Sequence, residues 1–176
     1  MTRSFRITCV FLLTALVAGL PGCGRDEPAP ARSAQGAGDA PAAREPYTVV
    51  TTCGMVTDIV RRVVADRGKV TGLMGTGVDP HLYKPTRGDV ARVIGADIIF
   101  YSGLMLEGRM TDTFIQAANR GRLVHPVTQM IDESFLLEPP EFEGHWDPHV
   151  WMDVSAWSEC VTAVAEALGS ERFDPE

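Results

Sequence analysis

From Tyr47 onward, strand-like and helix-like stretches alternate along the chain, and that order leaves few folds open. Tyr47-Thr48-Val49-Val50-Thr51-Thr52-Cys53 is β-branched and apolar between Pro46 and Gly54, the pattern of a buried strand. Met55 to Asp66 places Met55, Ile59, Val60, Val63 and Val64 at helical spacing, and Gly68 is expected to end that helix. Lys69 to Leu73 reads as a second strand. Gly72, Gly75 and Gly77 then open a loop. Thr86 is placed to cap a helix running to Ile94, with Asp89 in its first turn and Gly95 closing it. Asp97 to Tyr101 is a third buried strand. Leu104 to Asn119 is mostly helical with a break near Gly108, and Arg122 to Val124 is a short fourth strand. Strand followed by helix, repeated, predicts βαβ units with right-handed crossovers: an α/β fold with a parallel four-stranded sheet flanked by helices. In such sheets ligands bind beyond the carboxyl ends of the strands.

The residues before Tyr47 read differently. Arg3 and Arg6 form a basic start, and Ile7 to Leu20 is an almost unbroken apolar run, short for a membrane span. Residues 1–22 therefore read as a signal peptide. Leu20-Pro21-Gly22-Cys23 resembles a lipobox, in which Cys23 becomes the lipid-bearing first residue; an ordinary cleaved signal with Cys23 incidental is the alternative. Either way the chain is exported. Gly24 to Pro46, rich in Ala, Pro and Gly without apolar periodicity, reads as a flexible tether, so residues 23–46 are anchor and tether and 47–176 the domain. The net charge of −7, with no Lys/Arg cluster, argues against a nucleic-acid partner.

The chain carries the tripeptide Asp-Pro-His twice, as Asp79-Pro80-His81 and Asp147-Pro148-His149. Proline fixes its own φ and pushes the preceding residue toward an extended conformation, so each tripeptide is a stiff loop presenting one imidazole. Imidazole is the commonest protein ligand of zinc and its neighbours. Two of them on separate rigid loops suggest two corners of one metal site, with His81 on the loop after the second strand. A lone loop histidine would more simply be bonded to backbone.

The stretches G-V-D-P-H-L-Y-K-P-T-R-G-D-V, A-D-I-I-F-Y-S-G-L-M-L-E-G-R-M and D-P-H-V-W-M-D-V closely resemble the zinc/manganese solute-binding lipoproteins of bacterial ABC importers, the cluster A-I or TroA/ZnuA-like family, over Tyr47 to Glu176. The resemblance implies that His81 and His149 are the first two ligands of a transported Zn2+ or Mn2+ ion. It implies that two further ligands come from a C-terminal lobe reached through a long helix. Asp174-Pro175-Glu176 reads as the opening of a helix, so the chain is expected to hold the N-terminal lobe and half of the site. The resemblance also implies an ABC permease and ATPase as partners, a membrane-anchored lipoprotein at the periplasmic or cell surface, and a monomer. A surface lipoprotein acting as adhesin or scaffold, with metal incidental, is the alternative.

Other residues are read more plainly. Ile131 to Gly144 is an acidic, irregular surface excursion, His149 to Met152 a short extended segment, and Ser155 the start of a helix presenting Trp157, Val161, Val164, Ala165 and Leu168 on one face. His145 is a solvated neighbour and His125 a structural histidine. Glu107, in L-M-L-E-G, resembles a family motif near the binding cleft, but as to a ligand role it is read as a surface helix carboxylate. Tyr83, Trp146 and Trp151 are either packed around the site or ordinary aromatics. Cys53 and Cys160 are either a disulfide or two small buried hydrophobes. No G-x-S-x-G, P-loop or H-E-x-x-H occurs, and no spacing compels Glu143 as a hydrolytic base, so the chain is not expected to be an enzyme.

Overall fold

The computed structural model describes residues 46–142 and 144–169. The signal, Cys23, the tether up to residue 45, Glu143 and the helix opening at Asp174 lie outside the described residues.

Four strands, β1 (Tyr47–Thr51), β2 (Gly68–Gly72), β3 (Ile98–Tyr101) and β4 (Leu123–Pro126), form one sheet in the order β2-β1-β3-β4. Every neighbouring pair is parallel: Val49 lies opposite Val70 and Ile98, and Phe100 opposite His125. The helices are α1 (Gly54–Val64), α2 (Arg87–Gly95), α3 (Thr111–Ala118) and α4 (Val154–Leu168). β1 to β2 steps one way across the sheet and β2 to β3 to β4 the other. Right-handed crossovers therefore put α1 on one face and α2 and α3 on the opposite one. The packing agrees, with α1 against α4 and α2 against α3. Val49, Ile98, Ile99 and Phe100 on the central strands meet Val56, Val60 and Val64 of α1 and Val93 and Phe114 of α2 and α3 in one buried cluster. Full burial of a side chain of this size contributes about 1.5–3 kcal/mol, which is why Val49-Val50 and Ile98-Ile99-Phe100 form the apolar middle of the two central strands.

The local expectations hold in part. Thr86 and Asp89 form a reciprocal capping box at the start of α2. The first helix, by contrast, stops at Val64, where Ala65 takes φ 51°, and Gly68 is the first residue of β2 instead of a helix stop. Gly68 pairs with Tyr47, and a Cβ there would lie 2.8 Å from the Tyr47 ring, so the close approach of strand to ring calls for glycine. Leu104 to Asn119 is not one broken helix. Leu104 and Met105 have positive φ, a 3-10 turn spans Gly108–Met110, and α3 begins only at Thr111. β4 runs to Pro126, two residues past the expected end.

The last helix is rotated from its expected face. Ala156, Cys160, Ala163, Val164 and Leu168 are buried, whereas Val161 is 37 % exposed and Ala165 is also exposed. The buried stripe is the one that fits small side chains against α1, and Cys160 belongs to it. Cys53 and Cys160 are both free and buried; burial raises both thiols, Cys160 to about 12, and keeps them protonated. Among the described residues no helix is long and apolar enough to cross a membrane.

Candidate metal centre

Both Asp-Pro-His loops lie beyond the carboxyl edge of the sheet. The first belongs to the loop leaving β2. Leu73 N donates to Thr51 O and Met74 N to Thr52 O, both at 2.9 Å, so this loop departs pinned to the end of β1. Its far end is held by Asp89, 4 % exposed, which accepts from Tyr83 Oη at 2.8 Å, from Thr86 N at 2.8 Å and from Arg92 Nη1 at 2.8 Å. Burial alone would raise the Asp89 carboxyl, but hydrogen bonds from Thr86 and Tyr83 and the Arg92 charge outweigh it and hold it below the usual carboxylate range. Tyr83 is pushed up to about 12 by burial and by the Asp89 carboxylate. Tyr83 is thus a strut two residues from His81.

The second loop ends a long excursion from β4. Asp132 and Pro140 open 3-10 turns along it, and Asp147 N donates to Leu137 O at 2.7 Å. His149 is followed by a 3-10 turn, Val150–Met152, not by an extended segment. The reason is the helix beyond: Asp153 caps α4 by accepting from Ser155 N at 2.8 Å and Ala156 N at 3.2 Å, and the chain must coil to enter it.

In each tripeptide the aspartate accepts from the histidine amide two residues on, Asp79 Oδ1 from His81 N and Asp147 Oδ1 from His149 N, both at 2.9 Å. These are Asx turns, and they aim the two rings. His81 Nε2 and His149 Nε2 lie 3.3 Å apart, with ring centroids 5.3 Å apart and planes tilted by 54°. Two Zn–N bonds of about 2.0–2.1 Å at a tetrahedral angle of roughly 109° separate the nitrogens by about 3.3–3.4 Å. The pair therefore stands at the spacing of one tetrahedral edge.

The hydrogen-bond partners of His149 fit the same chemistry. His149 Nδ1 lies 2.6 Å from Asp147 Oδ1. The His149 amide bond first, and the ring bond after it, hold the Asp147 carboxyl below its usual range, so it is an ionised acceptor. An ionised acceptor on that side favours the tautomer with the proton on Nδ1, which turns the Nε2 lone pair toward His81 Nε2, the carboxylate–histidine arrangement common behind bound metals. Trp151 packs its ring edgewise on His149 at 5.2 Å and shields one side.

The remaining residues fall outside the pair. His145 is exposed, and His125 is half-buried on β4 against Phe100, with its pKa lowered by burial. Trp146 lines a different cavity, of about 550 Å³, alongside Tyr101, Phe114 and Glu107. Glu107 is the clear miss of the sequence reading: it is 3 % exposed, not a surface carboxylate. Among the described residues no group of three or more His, Cys, Asp or Glu side chains is arranged to hold an ion.

Comparison with known proteins decides the family. The model of the ZnuA family, zinc-uptake complex component A, periplasmic, matches residues 49–176. The chain belongs to the ZnuA family. Within it, the chain is similar to the zinc-binding protein TroA of Treponema pallidum, 46 % identical over 133 residues that cover 76 % of this chain and 42 % of TroA. It is also similar to the manganese-binding lipoprotein MntA of Bacillus subtilis, 34 % identical over 146 residues that cover 82 % of this chain and 43 % of MntA. The solved structure of the periplasmic zinc-binding protein TroA from Treponema pallidum superposes with a TM-score of 0.66 at 44 % identity, covering 71 % of this chain and 44 % of that one. The chain thus spans less than half the length of these ZnuA-family relatives.

Proposed function

We propose that His81 and His149 donate their Nε2 lone pairs to one divalent transition-metal ion, Zn2+ or Mn2+, as cargo. The chain then contributes the capturing lobe of an extracytoplasmic solute-binding protein that hands the ion to an ABC permease and ATPase. The observation that carries this reading is the 3.3 Å separation of the two Nε2 atoms. Family membership supports the transport role, since the relatives are named for zinc and manganese binding. Several are named as metal ABC transporter substrate-binding lipoproteins, which favours transport over adhesion or catalysis and supports export with a lipid at Cys23. Zinc takes about four ligands, so two imidazoles leave the remaining positions to water or to donors outside the described residues.

Zinc titration of the parent against His81→Ala and His149→Ala, with a competing chelator, tests the reading. Either variant should lose at least about tenfold in affinity, because a single exposed imidazole is a weak ligand. Equal binding by all three proteins contradicts it. Cys23→Ser should release the protein from membranes; unchanged membrane association removes the anchor.

A further inference from the structure

The strand order reverses direction between β1 and β3, and the crevice at such a switch point is where open α/β sheets usually seat a ligand. Here it is filled from within by Glu107. Its Oε1 accepts from Thr52 Oγ1 at 2.6 Å and from Ser102 N at 2.9 Å, and its Oε2 from Gly103 N at 3.4 Å. Thr52 is the residue just after β1, and Ser102 and Gly103 follow β3. One carboxylate therefore ties together the ends of both central strands. Burial pushes the Glu107 carboxyl up, against the pull of these donors, and burying a carboxylate is costly unless it is fully bonded.

The two tied residues are hydrogen-bonded to the starts of the segments that carry the histidines, which leave β2 and β4. Thr52 O accepts from Met74 N at 2.9 Å, fixing the start of the loop that carries His81. Ser102 O accepts from Thr128 Oγ1 at 2.8 Å and from Thr128 N at 3.3 Å, fixing the start of the segment that carries His149. The fit at this second junction is tight. Gly103 has φ +94°, and a Cβ there would lie 2.4 Å from Thr128 Oγ1.

We propose that Glu107 is a positioning residue for the metal centre: its bonds to Thr52, Ser102 and Gly103 lock the ends of β1 and β3 and so set the spacing of the loops that carry His81 and His149. This inference rests on the reading of those two histidines as ligands. It makes the carboxylate act through geometry and not through its charge. Gln at this position keeps an acceptor for Thr52 and Ser102 and gives up only the long bond from Gly103 N at 3.4 Å; Ala keeps none.

The experiment measures zinc affinity of the full chain for the parent, Glu107→Gln, Glu107→Ala and Thr52→Val, at a temperature where each is folded by circular dichroism. Glu107→Ala should weaken binding by about ten- to a hundredfold, the range typical for loss of a supporting partner. Glu107→Gln should stay within about threefold of the parent, a rescue that a charge effect would not give. Thr52→Val should fall between them, and it decides the matter if Glu107→Ala does not fold. Parent-like affinity in folded Glu107→Ala, or in Thr52→Val where the first is unfolded, overturns the proposal and leaves the histidine reading intact. Glu107→Gln as weak as Glu107→Ala also overturns it, in favour of charge. Equal binding by the parent and the two histidine variants removes both readings together.

Discussion

The same tripeptide occurs twice in this molecule and is held in two different ways. Around His149, one carboxylate does two things: Asp147 closes the Asx turn and also takes the ring Nδ1–H at 2.6 Å, and Trp151 lies against the ring. Around His81, Asp79 closes the same turn, and the ring is exposed. The His81 loop gains its order instead from its base and far end, through Thr51 and Thr52 on one side and the Tyr83–Asp89 strut on the other. One ligand is oriented at the ring and the other at the backbone. The difference teaches that identical local sequence fixes the turn, while distant residues decide how firmly the imidazole itself is held.

Aspartate substitutions should therefore separate the two loops. The largest effect is expected for Asp147→Ala, which removes turn and ring partner together: zinc affinity, read by chelator competition, should drop about ten- to a hundredfold. Asp147→Asn keeps an oxygen for the turn but offers the ring a neutral acceptor, so it should lose less than Asp147→Ala. Asp79→Ala removes one backbone hydrogen bond of about 1 kcal/mol and should cost roughly fivefold. A larger loss for Asp79→Ala than for Asp147→Ala would reverse the comparison.

The smallest expected effect concerns acid. Asp89 is ionised and held below the usual carboxylate range in the folded chain, so it contributes stability above its unfolded pKa of about 3.9, and that contribution is lost as pH falls through the lower folded value. The stability gap between the parent and Asp89→Asn, read from urea midpoints, should be constant at neutral and mildly acidic pH and close only below about pH 4. A gap that persists unchanged to lower pH would show that the strut does not depend on the charge of Asp89.

The sequence made the sheet legible because its central strands are buried on both faces and read as apolar runs, as Val49-Val50 and Ile98-Ile99-Phe100 do. Thr86 and Asp89 were equally plain, since a capping box is local chemistry. The two histidines stood out because proline marks the loops. Glu107 stood in a stretch that resembles the family, but its burial was not legible, because its partner Thr52 is 55 residues away and L-M-L-E-G has the look of a helix face. The coil after His149 was hidden for a related reason: Val-Trp-Met reads as strand, and the turn is imposed by the Asp153 cap beyond it. The face of α4 was read only in part: Val164, Leu168 and Trp157 meet the core as expected, but a buried cysteine and two alanines take the place of Val161 and Ala165 once the helix meets α1. Local rules carried the elements; contacts between distant segments carried the rest.

The claim that both tripeptides serve one ion is tested most directly by X-ray absorption at the zinc edge on the loaded chain at one equivalent of metal. Two imidazole nitrogens per zinc at about 2.0–2.1 Å, falling to one in both His81→Ala and His149→Ala, is the predicted result. One imidazole or none per zinc in the parent, or a count unchanged by either substitution, would contradict it.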